Sequence, residues 1–145
     1  MQLVMDNPVI SPGGRILVAS LGLGALLLLV TAWNLPPDPR GFGTHEQLGL
    51  APCTFYRITG RLCPTCGATT AWAFALRGEI ARAMACNLAA TIFCGAAIVA
   101  VPWLILSAVL GRWVYARPSW RNTLVVTGAV LLVGLLDCLR RNALP

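Results

Sequence analysis

The chain has 145 residues, of which 57% are hydrophobic and 11% charged, with a mean hydropathy of +0.74 and a net charge of +6. A water-soluble domain carries about 25% charged residues, so this composition excludes an ordinary soluble globule and indicates a membrane protein. The positive charge comes from eleven arginines with no lysine, scattered between apolar runs rather than gathered on one face. That pattern argues against a nucleic-acid partner and for cations flanking membrane spans.

Residues 1–14 hold Asp6, Asn7, Pro8, Pro12 and a Gly13-Gly14 pair and read as loose. Residues 16–33 then run 18 residues without a charge and end on Trp33, long enough to cross about 30 Å of hydrocarbon at 1.5 Å per residue. Its length and the weak basic segment before it favour a retained anchor over a cleaved signal peptide. Residues 34–67 form a polar loop. Its first half, Leu35-Pro36-Pro37-Asp38-Pro39-Arg40-Gly41, loses backbone donors at its three prolines and predicts no regular structure. Pro52 to Gly60 is more apolar but too short for an independently stable helix; Phe55, Tyr56 and Ile58 are expected to rest on the membrane surface or the next helix.

Residues 68–87 predict a short interfacial or re-entrant helix. Trp72, Leu76, Ile80 and Met84 recur every four residues and form one stripe, with Gly78 at a cap or kink. A second span covers 88–110, with Pro102 inside it. Arg112, Arg117, Pro118 and Arg121 make a short basic hairpin with Trp113, Tyr115 and Trp120 as interfacial aromatics. This compact, purely basic connection leans towards an external Cys loop. A third span, short at 16 residues, covers 124–139, where Asp137 precedes Arg140 and Arg141 at neutralising distance. The expected architecture is one all-α membrane domain, 1–145, with three transmembrane helices and one interfacial helix. It is multi-pass, with the lipid bilayer and other membrane proteins as partners.

Chemistry concentrates in Cys53 and in Cys63-Pro64-Thr65-Cys66-Gly67. Cys94 and Cys138 fall within apolar runs and read as small hydrophobes. Three readings compete for the other sulfurs. If the helix begins at Thr65 or Cys66, its N–H groups stabilise a thiolate, and Cys63 and Cys66 become a redox pair with Cys53 as resolving thiol. No thioredoxin-like strand–helix–strand context surrounds them. Alternatively Cys53, Cys63 and Cys66, with His45 as a weaker fourth ligand, hold zinc. The third reading is a disulfide pinning the loop to the helix start. Covalent haem is excluded, because Gly67 stands where His would be needed. The five acidic residues (6, 38, 46, 79 and 137) are separated from one another, so paired-carboxylate hydrolysis has no candidates.

Pro52-Cys53, Thr59-Gly60, Cys63 through Ala71, Leu76-Arg77-Gly78 and Asn87 together resemble the bacterial membrane family called domain of unknown function 2752. The resemblance covers about residues 50–90 and marks Pro64, Gly67, Thr69, Gly78 and Asn87 as motif positions. Thr70 stands where the family pattern has Arg, and Leu88 where it has Pro after Asn. It implies a small inner-membrane protein and no particular reaction. The functional expectation is therefore a Cys-rich site at the membrane interface, structural or metal-holding, in a protein that partners other membrane proteins. The alternative is a membrane thiol–disulfide oxidoreductase.

Overall fold

A computed structural model describes residues 8–115 and 118–143. Every regular element among them is helical; the β feature is an isolated antiparallel bridge between Val9 and Arg112. Helix α1 spans Pro12–Asn34. Pro12 suits a first helical turn, where its missing N–H is not needed, and the Ser11 hydroxyl accepts the Gly14 N–H at 3.2 Å. The helix stops at Leu35, which is extended ahead of Pro36. A 3₁₀ turn, Thr44–Leu48, lies between left-handed Gly43 and Gly49. Then follow α2 (Thr54–Thr59), α3 (Ala68–Leu76), α4 (Ile80–Cys86), α5 (Leu88–Leu110) and α6 (Trp120–Ala143).

By length and composition α1, α5 and α6 can each cross a membrane, and the chain reads as a multi-pass membrane protein. Leu17, Leu27, Val99, Val125 and Leu131 project outward from them, the surface lipid covers rather than water. α1 packs chiefly along α5. At Gly22 a Cβ would stand 3.0 Å from Ile105, so the missing side chain lets the two backbones approach. Arg15 closes the far end of the pair: its Nε and Nη2 donate to the Ala108 and Val109 carbonyls of α5 at 2.9 and 3.1 Å. These are C-terminal carbonyls with no helical partner, so a cation belongs there.

The core sits at the opposite end, where α3 wedges between α1 and α5. Trp72 packs with Ala32, Cys94 and Ala97, and its Nε1 donates to the Ala90 carbonyl at 2.9 Å. Phe74 packs with Ala71 and Ala83 of α4. Cys94 and Cys138 are both buried.

The expected single helix over 68–87 is two helices. Gly78, at φ +80°, turns the chain between α3 and α4. The four-residue stripe does not survive this break: Trp72 is buried while Ile80 and Met84 are largely exposed. The third apolar helix is longer than 124–139. Trp120 and Arg121 belong to its first turn rather than to the hairpin, because Ser119 carbonyl accepts the Thr123 N–H and hydroxyl. Arg117 of the expected hairpin and Asp6 and Asn7 of the amino-terminal segment lie outside the described residues. Within the polar loop Tyr56 stacks obliquely on Phe42, centroids 4.8 Å apart, whereas Phe55 and Ile58 face outward.

Candidate thiol centre

The residues from Cys63 to Gly67 form a compact turn. The Cys66 N–H returns to the Cys63 carbonyl at 3.1 Å and the Ala68 N–H to the Thr65 carbonyl at 3.1 Å. α3 then starts at Ala68, with Gly67 as its N-cap. The helix therefore begins two residues later than Cys66, and both thiols sit in the turn before it. The expected thiolate support from helix N–H groups is replaced by support from the turn.

Gly67 is required twice over. Its φ is +80°, and a Cβ would lie 2.7 Å from the Gly41 carbonyl oxygen and 2.8 Å from that of Cys86. A side chain there would meet rigid backbone on both sides.

The turn is held by residues distant in sequence. Asn87, buried at the N-cap of α5, donates from Nδ2 to the Pro64 and Cys66 carbonyls at 2.9 and 3.0 Å and accepts the Ala90 N–H at 2.9 Å. Arg141 of α6 donates to the Cys66 carbonyl at 2.9 Å and to that of Pro64 at 3.5 Å. Asn142 brackets Leu62, accepting its N–H and donating to its carbonyl, both at 2.9 Å. Asp137 neutralises this end of α6: its carboxylate lies 2.7 Å from Arg140 and 2.9 Å from Arg141, and it accepts the Leu88 N–H at 3.2 Å. On the other side of α3, the Thr70 hydroxyl bonds the buried Thr44 hydroxyl at 2.8 Å, which accepts the Asp38 N–H at 2.9 Å. These contacts give the two departures from the family pattern a use in this chain. Thr70 ties the polar loop to α3, and Leu88 supplies an N–H that proline could not.

Held this way, the turn brings three sulfurs together. The Sγ atoms of Cys53, Cys63 and Cys66 all lie within 4.8 Å of one another. Cys63 is the middle one, 3.6 Å from Cys53 and 3.1 Å from Cys66. All three are free thiols, Cys66 buried and the other two half-buried. They line a cavity of about 610 Å³ together with Arg40, Tyr56 and Arg57. His45 lines that cavity too, yet it falls outside the group of converging ligand atoms. Thr69 lines it as His45 does, Pro64 takes part through its backbone carbonyl and Asn87 through its side-chain amide, and Gly78 stands at the far end of α3.

The two motif thiols are electrostatically unequal. Burial alone would raise Cys63. Hydrogen bonds from the Thr65 hydroxyl at 3.2 Å, the Cys66 and Cys53 thiols and the Thr65 N–H outweigh it and lower Cys63 to about 7. Burial pushes Cys66 up, and its role as donor to Cys63 adds to this, reaching about 12. Cys86 is raised by burial and stands outside the cluster.

Such a set can hold a metal ion or exchange disulfides. Two thiolates 2.3 Å from a tetrahedral zinc lie about 3.8 Å apart. The Cys53–Cys63 spacing of 3.6 Å is close to that, and the Cys63–Cys66 spacing of 3.1 Å is shorter. Among the described residues three ligand atoms converge rather than the four of a closed structural site. The clamp residues Arg141 and Asn142 are not legible from the motif, because they lie on α6, 75–80 residues along the chain from the carbonyls they hold. In comparisons with known proteins, residues 53–107 match the model for the family described as protein of unknown function (DUF2752). No curated protein and no solved structure matches the chain.

Proposed function

With a DUF2752 segment carrying the three clustered cysteines as the premise, we propose that residues 53–67 are a thiol–disulfide exchange centre at the lipid boundary, with Cys63 as the attacking sulfur. The observation that carries this is the position of Cys63. It faces the cavity half-exposed, in contact with two further thiols, one of which is buried. An accessible thiolate beside a buried, protonated partner is the division of labour that exchange requires.

The Cys63 thiolate attacks one sulfur of a substrate disulfide. A Cys63–substrate disulfide forms, the substrate S–S bond breaks, and one substrate thiolate leaves with the electron pair. Cys66 then loses its proton to that leaving group or to water and attacks Cys63 Sγ. The Cys63–Cys66 disulfide forms and the second substrate thiolate departs. The substrate has gained two electrons and the protein pair has lost two. Cys53, 3.6 Å from Cys63, can resolve the same intermediate by the same displacement.

A second reading, a metal held by Cys53, Cys63 and Cys66, is favoured by the near-tetrahedral spacing of the first two. In that reading the protein is a metal-held scaffold for other membrane proteins. For either reading the setting we infer is a cell inner membrane, supported by helical rather than strand-built spans.

The exchange reading is tested on the full chain in detergent, with Cys53 and Cys66 replaced together by Ser and an aromatic disulfide supplied. The expected result is a persistent mixed disulfide located at Cys63. Release of the aromatic thiol without a Cys63 adduct, or no reaction in the unsubstituted chain, overturns the reading.

A further inference from the structure

A second cavity, of about 460 Å³, opens between α1, α3, α5 and α6 beside the thiol turn. That volume is within the roughly 300–1,000 Å³ of small-molecule pockets. Its walls are Leu28 of α1, Leu131 of α6 and two aromatic rings, Trp72 and Phe93, whose centroids are 6.1 Å apart. Its polar end is not apolar wall continued: His45, Thr65 and Thr69 line both this cavity and the thiol cavity. Among the described residues the His45 ring and the Thr69 hydroxyl make no hydrogen bond within the protein, and Thr65 already contacts Cys63. A lipid acyl chain would satisfy the walls and leave these polar groups without a partner. A flat ring carrying carbonyl oxygens on an apolar tail satisfies both.

We infer that this cavity binds a lipid-soluble benzoquinone, its ring at the His45–Thr69 end and its tail towards Leu28 and Leu131, and that this quinone is the electron acceptor for the thiol pair. The inference rests on the exchange reading above. Here the same displacements run in reverse: substrate thiols reduce the Cys63–Cys66 disulfide to the dithiol as they form their own S–S bond, and the quinone supplies the step that re-forms the Cys63–Cys66 disulfide. In the regenerating step the two S–H bonds are lost and one S–S bond forms. Two electrons and two protons pass to the quinone, whose two carbonyls become the hydroxyls of the quinol. His45 and Thr69 are positioned to hold the ring oxygen nearer the thiols by hydrogen bonding. The product disulfide is the oxidant for substrate thiols, so the net direction of turnover is disulfide formation in the substrate.

The test uses the full chain in phosphatidylcholine vesicles with a benzoquinone bearing one isoprenoid unit, and an azido analogue for photolabelling. The expected result is one quinol formed per two thiols lost, and label recovered on α3, α5 or α6 that excess quinone, not excess phosphatidylcholine, displaces. Leu131→Trp, which adds bulk to the cavity wall, lowers quinone affinity at least tenfold, and His45→Phe lowers it several-fold. Val125→Trp, on the same helix outside the cavity, leaves affinity unchanged. Equal quinol formation by Leu131→Trp and the unsubstituted chain, or label displaced as readily by phosphatidylcholine, overturns the inference. Exchange with an aromatic disulfide, measured on the same samples, separates the two failures. A chain that exchanges but neither binds nor reduces quinone overturns the quinone site alone, while a chain that binds quinone without any thiol exchange overturns the exchange reading and electron transfer with it.

Discussion

Replacing Asn87 by Ala tests how the thiol turn is held. The side chain is 1% exposed and makes three hydrogen bonds, two to carbonyls of the turn and one capping α5. Cys66 keeps Arg141 as a partner, so its carbonyl is not orphaned. The Pro64 carbonyl retains only the long 3.5 Å contact to Arg141, and the Ala90 N–H loses its acceptor. An orphaned buried group costs about 1–3 kcal/mol and a lost N-cap about 1 kcal/mol, so the substitution costs about 2–4 kcal/mol in all. For a chain of this size that corresponds to a fall of roughly 10 °C in melting temperature. Asn87→Asp keeps the cap acceptor, worth about 1 kcal/mol, but turns a buried carboxylate oxygen on the Pro64 and Cys66 carbonyls, which offsets that gain. The assay is a thermal melt in detergent, followed by the alkylation rate of Cys63 in the folded protein. In both variants the freed turn lets Cys63 drift towards ordinary thiol behaviour. Asn87→Ala melting within 2 °C of the unsubstituted chain, with Cys63 reacting as before, would refute the clamp.

Further predictions follow from the same geometry. Alkylation of Cys63 rises with pH as its thiolate fraction grows, half-maximal near pH 7 and level above, while Cys66 stays silent through that range; Thr65→Val moves the half-rise to higher pH by removing the hydroxyl hydrogen bond, read by mass spectrometry of labelled peptides. Gly67→Ala combines a left-handed backbone, about 1–2 kcal/mol for a non-glycine residue, with contact against two backbone carbonyl oxygens, and is expected to abolish accumulation of folded protein, measured as monodisperse yield. Asp137→Ala leaves the nearly buried Arg141 guanidinium uncompensated and costs about 3–5 kcal/mol; removing Asp137 and Arg141 together is milder, as paired melts will show. Thr44→Val and Thr70→Val, singly and together, give a coupling of about 1 kcal/mol for the buried hydroxyl pair.

What the sequence revealed and what it hid divide along contact range. The three apolar helices and the Cys turn are local signals, written in runs of Leu and Val and in a Cys-Pro-Thr-Cys-Gly stretch. The meeting of Cys53 with Cys63 follows from a connection of nine residues, 54–62, that already contains a short helix. The clamp, in contrast, joins Cys66 to Arg141 and Leu62 to Asn142 across most of the chain, and no spacing rule announces it. The break at Gly78 was readable as a cap or kink, but its consequence for the stripe through Ile80 and Met84 depends on where α4 turns. The later start of α3 has a local cause: Gly67 adopts φ +80°, which a helical residue cannot, so the helix waits for Ala68. The early start of α6 at Trp120 has one as well: the Ser119 carbonyl accepts both the Thr123 N–H and its hydroxyl, a first turn that the apolar run from Leu124 does not announce.

The measurement that bears most directly on the thiol centre is a paired count on the full chain purified without chelator: metal per protein, and reactive thiols before and after mild oxidation. The account predicts no stoichiometric metal, with the thiols of Cys53, Cys63 and Cys66 countable in the reduced chain, two of the three lost together on oxidation with Cys63 always one of them, and both recovered by reductant. One zinc per chain, with all three thiols silent until a chelator removes it, would contradict it.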